Sequence, residues 1–137
     1  MNKPTTITTV EELLAACADT PPGCISLHLD DDGIERCGTR ATTLDSLEQW
    51  ANDPSRLTDA AASTPTCGRR WVIFVRQHTP PTEHDASHYL DIAAALACED
   101  VELIDCVIAW DDHHVSMHYL QHRTTSYDTT SRSDKAA

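Results

Sequence analysis

Trp71-Val-Ile-Phe-Val-Arg-Gln-His-Thr-Pro-Pro-Thr-Glu-His-Asp85 carries the architecture of this chain. Its first five residues are all apolar, β-branched or aromatic, and too few for a core helix. They predict a strand buried on both faces. Arg76, Gln77 and His78 follow at once, then a turn at Pro80 and Pro81. Thr82 is a helix N-cap, with Asp85 three positions on to answer it. Side chains at strand C-termini and helix N-termini meet in one crevice of an α/β sheet, so Arg76, Gln77, His78, Thr82 and Asp85 are candidate site residues.

Downstream, Thr82 to Cys98 predicts a helix with an apolar stripe of Tyr89, Leu90, Ile92, Ala93 and Leu96. Val101 to Trp110 predicts a strand, Asp111-Asp112 a turn, and Val115, Met117 and Tyr119 the inward face of a last strand. Upstream, Thr9-Val-Glu-Glu12 is a capping box that opens a helix through Leu13, Leu14 and Cys17, ending before Pro21-Pro22-Gly23. Cys24 to Asp30 alternates, with Ile25, Leu27 and Leu29 on one face of a half-buried strand. Asp31-Asp32-Gly33 is a hairpin turn, and Ile34 to Arg40 returns nearer an edge. Thr42 or Thr43 caps a helix bearing Leu44, Leu47 and Trp50, and a second helix near Pro54 carries Leu57 and Ala60 to Ala62. Ser63 to Gly68 is loop. Residues 121–137 are rich in Ser and Thr and predict a disordered tail behind a domain at 1–120. The expected fold is α/β, a single-domain mixed β-sheet flanked by helices.

The chain has 137 residues, 40% of them hydrophobic, enough for one core. Twenty-two acidic against 10 basic residues leave a net charge of −12, which disfavours nucleic acid and anionic membrane. Six cysteines, at 17, 24, 37, 67, 98 and 106, form no Cys-x-x-Cys. Cys17, Cys98 and Cys106 sit in apolar runs as small hydrophobes. The N-terminus has no signal-peptide pattern and no run reaches membrane-spanning length, so a reducing cytoplasm is the expected location.

From about Cys24 to Leu120 the chain resembles the RadC-type branch of the JAB/MPN metalloprotease-like domains, whose fold is cytidine-deaminase-like. Val75-Arg-Gln-His78 lies where the family's His-x-His ends its central strand. Pro81-Thr-Glu-His-Asp85 is similar to Pro-Ser-x-x-Asp, with Thr for Ser. Val101-Glu-Leu-Ile-Asp-Cys-Val-Ile108 resembles the late Leu-Leu-Asp-His-hydrophobic motif, with Cys106 for His, and Val115-Ser-Met117 the final strand. The late half is the more specific part. The family's first metal His corresponds to Arg76, the loop from His78 to Asp85 is shorter and lacks Gly, and the family's helix-hairpin-helix segment is not expected here. A DNA-repair role is therefore not carried over.

In working members, the resemblance implies, two His and one Asp hold Zn²⁺ while a Glu acts on the bound water as general base. With an Arg in place of one imidazole, the expectation is a domain without a metal cofactor, serving as a protein-interaction module. Two alternatives stand beside it. One is a zinc hydrolase, isopeptidase- or peptidase-like, with ligands relocated among His78, His84, Asp85 and His88. His84 and His88 lie i, i+4 on one helix face, a spacing that equally describes a solvated face. Glu35, on the return strand of the first hairpin, is the candidate base by chain order. The other alternative is an acidic inhibitor or DNA mimic from a mobile element. His113, His114, His118 and His122 form a second histidine group, expected on a solvent-facing strand with His114 and His118 on the same side. Asp105 is expected to cap or orient backbone, and the spacing offers no support for a Cys106–His nucleophile pair.

Overall fold

A computed structural model describes residues 6–30, 33–42, 47–63 and 69–127. Thr9 caps α1 (Val10–Ala16), its side chain accepting from the Glu12 amide. The reciprocal half of the expected box is displaced by one residue: the Glu12 carboxylate accepts from the amide and hydroxyl of Thr8, each at 2.7 Å. β1 (Gly23–Leu29) and β2 (Glu35–Thr42) form the first hairpin. Gly33 takes φ +82, and a Cβ there would stand 2.6 Å from Thr8 Cγ2. Asp31 and Asp32, expected as a turn, lie outside the described residues, as do Thr43, Leu44 and residues 64–68 of the expected loop. Thr42 is not a helix cap, because it ends β2 in register with Cys24.

α2 (Leu47–Asn52) and α3 (Ser55–Ser63) bury Leu47, Trp50, Leu57 and Ala61. They lead into β3 (Arg70–Gln77), buried on both faces from Arg70 to Val75 as its composition requires. α4 (Glu83–Ala97) returns over the sheet to β4 (Glu102–Trp110), which runs parallel to β3. The turn at Asp111, with φ 48, leads to β5 (His113–Ser116) and then to α5 (Met117–His122).

The five strands lie in the order β2-β1-β3-β4-β5, antiparallel except for the β3–β4 pair. The fold is mixed α/β, with helices on both faces of the sheet. Ile73, Val75, Cys106 and Ile108 pack against Leu47, Trp50 and the Tyr89/Ile92/Leu96 stripe of α4. Ile25, Leu27, Val72, Phe74 and Val107 pack against Ile7, Val10, Leu13 and Cys17 on the other side. Each large side chain so buried contributes roughly 1.5–3 kcal/mol.

Several expectations change. β1 is buried on both faces rather than one, because it is an interior strand with helices on each side. Its second face holds Ser26 and His28, the latter fully buried and stacked on Trp71 with ring centroids 3.7 Å apart. Leu90 leaves the α4 stripe and is 54% exposed, since it falls one residue off the buried spacing. Cys98, at the C-cap of α4, is exposed, whereas Cys17 and Cys106 are buried. The last strand stops at Ser116, whose side chain accepts from the Tyr119 amide and starts α5. Met117 still faces the core, but Tyr119 is exposed.

Residues 121–127, expected as the start of a disordered tail, are tied to the body. Thr9 and Ser126 form an antiparallel bridge, and the Tyr127 amide donates to Thr8 O at 2.7 Å. Tyr127 is 2% exposed, so the domain extends past residue 120 to include it. The Tyr127 side chain and these backbone contacts together anchor the strap.

Candidate functional site

The β3–β4 pair and the start of α4 build the crevice expected from the sequence. Gln77 and Trp110 are register partners where the two strands end. Gln77 donates from Nε2 to Thr79 O at 2.8 Å, which holds the bend that carries the exposed His78. Thr82 then caps α4: its Oγ1 accepts from the His84 amide, and the Asp85 carboxylate accepts from the Thr82 amide at 2.7 Å. Both halves of the cap are made, and Glu83 and Asp85 place two acids in the first turn. The helix end is therefore satisfied internally and repels an anionic ligand.

Arg76 does not face this crevice. Successive strand residues point to opposite faces, and Arg76 shares the face of Val72 and Phe74, against α1. Its Nη2 donates to Cys17 O at 3.2 Å, and its guanidinium lies 5.2 Å from the centre of the Phe74 ring. The charge is spent on the C-terminal end of α1, where helix carbonyls lack intrahelical partners. Asp85, His84 and His88 lie on α4, across the sheet.

The ligands that the zinc-hydrolase alternative calls for are not assembled. His78 and His84 are exposed, Asp85 is engaged in its cap, and His88 is half-buried with a buried Nδ1 that has no hydrogen-bond partner. Among the described residues no three His, Cys, Asp or Glu side chains are grouped so as to hold a metal ion. The residues present do not fit a tetrahedral zinc centre.

Glu35 fails as the base for this crevice. Its backbone pairs with Leu29, which pairs in turn with Arg70, whereas Arg76 pairs with Gly23. Glu35 therefore lies level with Arg70, at the opposite end of β3 from His78, about 26 Å away along the strand at roughly 3.3 Å per residue. Its side chain lies outside the described residues. Chain order pointed to it, but antiparallel register put it at the wrong end.

Sequence reasoning missed a second polar centre, on the face that carries α1. The β3–β4 register shifts between Trp71 and Val72, passing from Leu103 to Asp105. Asp105, with no solvent exposure, accepts from the Ser116 hydroxyl at 2.8 Å, from the His118 amide at 2.9 Å and from the Tyr127 hydroxyl. It caps α5 together with Ser116, as expected of a structural acid, and also holds the strap. Burial, reinforced by the charge of Asp105, pushes the Tyr127 hydroxyl far above its ordinary value. Burial does the same to Cys106, with Asp105 next in importance, so its thiolate form is disfavoured. His118 does not lie on a strand with His114. It sits on α5, its Nε2 2.9 Å from Ser126 O and its ring edge-on to Tyr127. The missed signal was a lone Tyr127 beyond the last helix.

No protein-family model and no curated protein matches the chain. Among the described residues, no helix is long and apolar enough to cross a membrane.

Proposed function

We propose that the chain is a degenerate JAB/MPN-type domain that binds a protein partner and does not hydrolyse through zinc. The observation that carries this reading is Arg76. At the position where the resemblance calls for the first metal imidazole, a guanidinium turns to the opposite face and binds Cys17 O. Removing one imidazole leaves too few protein ligands for a catalytic zinc, and Asp85, the counterpart of the acidic ligand, serves a helix cap instead.

Support also comes from the order of elements around the motifs. The Thr82/Asp85 cap follows the central strand directly, and the late motif runs as a buried strand into a short last strand, as the resemblance implies. A net charge of −12 favours a protein partner over nucleic acid. Leu90, Tyr119 and Leu120 offer exposed apolar side chains for such contacts.

The test is metal analysis of tag-free protein purified without chelator, together with assays on peptide and isopeptide substrates. The expected result is no hydrolysis and no stoichiometric zinc left after dialysis. Stoichiometric zinc with hydrolysis that a chelator abolishes overturns the reading.

A further inference from the structure

We propose that His118 and His122 form a reversible binding site for a divalent transition metal of the zinc and copper class, remote from the crevice at the end of β3. The two residues are i, i+4 on α5, one turn apart on the same face. Their rings already stand together, with centroids 4.7 Å apart and planes tilted by 41°. Metal–imidazole bonds of about 2.0–2.1 Å bring two nitrogens within a few ångströms of each other, a geometry that neighbouring turns of a helix supply.

A second observation concerns the tautomer of His118. Its Nε2 lies 2.9 Å from the carbonyl oxygen of Ser126. A carbonyl only accepts, so Nε2 carries the proton, and in the neutral ring the lone pair resides on Nδ1. An imidazole whose far N–H is held by a backbone carbonyl is the usual state of a metal-ligating histidine, because that bond fixes the ring and raises its basicity. The Tyr127 ring, edge-on to His118 at 5.1 Å between centroids, braces it further. His122 is exposed at the end of α5, within the last turn, where the helix dipole favours a cation.

His84 and His88 share the same spacing on α4 and make an internal comparison. There, His88 Nδ1 is buried, and among the described residues no hydrogen bond orients either ring. Spacing alone does not select a pair; the carbonyl of Ser126 does. With two protein donors and water in the remaining positions, the site binds and releases metal rather than holding it as a structural centre. Imidazole pairs suit Zn²⁺, Cu²⁺ and Ni²⁺ and disfavour Mg²⁺ and Ca²⁺.

The test is calorimetric titration of the tag-free full chain with ZnCl₂, followed by ¹⁵N spectra of the imidazole nitrogens. Saturable binding reversed by EDTA is expected, with the His118 and His122 ring signals shifting. His122→Gln, at an exposed position that leaves the fold intact, should weaken binding by about tenfold or more. His118→Gln should do the same, and the double variant His84→Gln/His88→Gln should leave binding unchanged. Absence of saturable binding, binding that His122→Gln does not weaken, or binding lost in the His84/His88 variant overturns the proposal. A hydrolytic zinc in the β3 crevice would persist in His122→Gln, so the two proposals fail separately.

Discussion

Arg76 donates from Nη2 to the carbonyl oxygen of Cys17 at 3.2 Å, so the end of β3 closes the C-terminal end of α1 from the facing layer. α1 has no basic residue in its own last turn, and Arg76 supplies the positive charge from outside the helix. Arg76→Met keeps most of the stem that packs near Phe74 and removes the donor. It should lower stability by about 1–2 kcal/mol, read as a drop in the urea midpoint at unchanged slope. A midpoint equal to that of the parent would show that the guanidinium is idle.

Tyr127 and Asp105 join the strap to the sheet. Tyr127→Phe removes one of three donors to a buried carboxylate and should cost about 1–3 kcal/mol. Tyr127→Ala should cost more, because it also leaves a cavity beside Ile7, Val10 and Val107. Thermal melts of the two variants give the comparison. Equal losses would mean that the hydroxyl does all the anchoring.

Glu12 gives the acid limb of stability a defined sign. Its hydrogen bonds to the Thr8 side chain and then to the Thr8 backbone hold its carboxyl below the ordinary value. A carboxylate lowered in the folded state stabilises fully above its unfolded pKa, and this contribution disappears as pH falls through the folded value. Glu12→Gln should therefore lower stability at neutral pH and narrow its gap to the parent towards strongly acid pH. Urea midpoints measured across the acid range test this. A gap that stays constant would remove Glu12 from the acid response.

The thiols should react unequally. Cys98 is exposed, while Cys106 is fully buried with its thiol pushed well above the ordinary value by burial. Brief alkylation of native protein, mapped by peptide mass spectrometry, should label Cys98 and spare Cys106 until denaturant is added. Early labelling of Cys106 would mean that β4 opens locally.

The period of the apolar residues was enough to place most elements from the sequence. Trp71 to Val75 could only be a doubly buried strand, and Thr9 and Thr82 marked helix starts through local hydrogen bonds that need no tertiary partner. The helix capped at Thr82, the strand that ends at Trp110 and the buried residues Tyr89, Ile92 and Leu96 were legible for the same reason. Hydrogen-bonded turns and side-chain periodicity are short-range.

What tertiary structure decided was register and facing. Glu35 looked near the crevice by chain order, yet pairing with Leu29 carried it to the far end of the sheet. Arg76 looked like part of the crevice, and strand alternation turned it to α1. Cover on both sides buried β1 on both faces from Cys24 to Leu29, where alternation alone indicated one wet face. Tyr127, in a stretch without other large apolar residues, became core because Asp105 offered its hydroxyl an acceptor. Each of these depends on a partner distant in sequence, and no pattern within a short window records which partner that is.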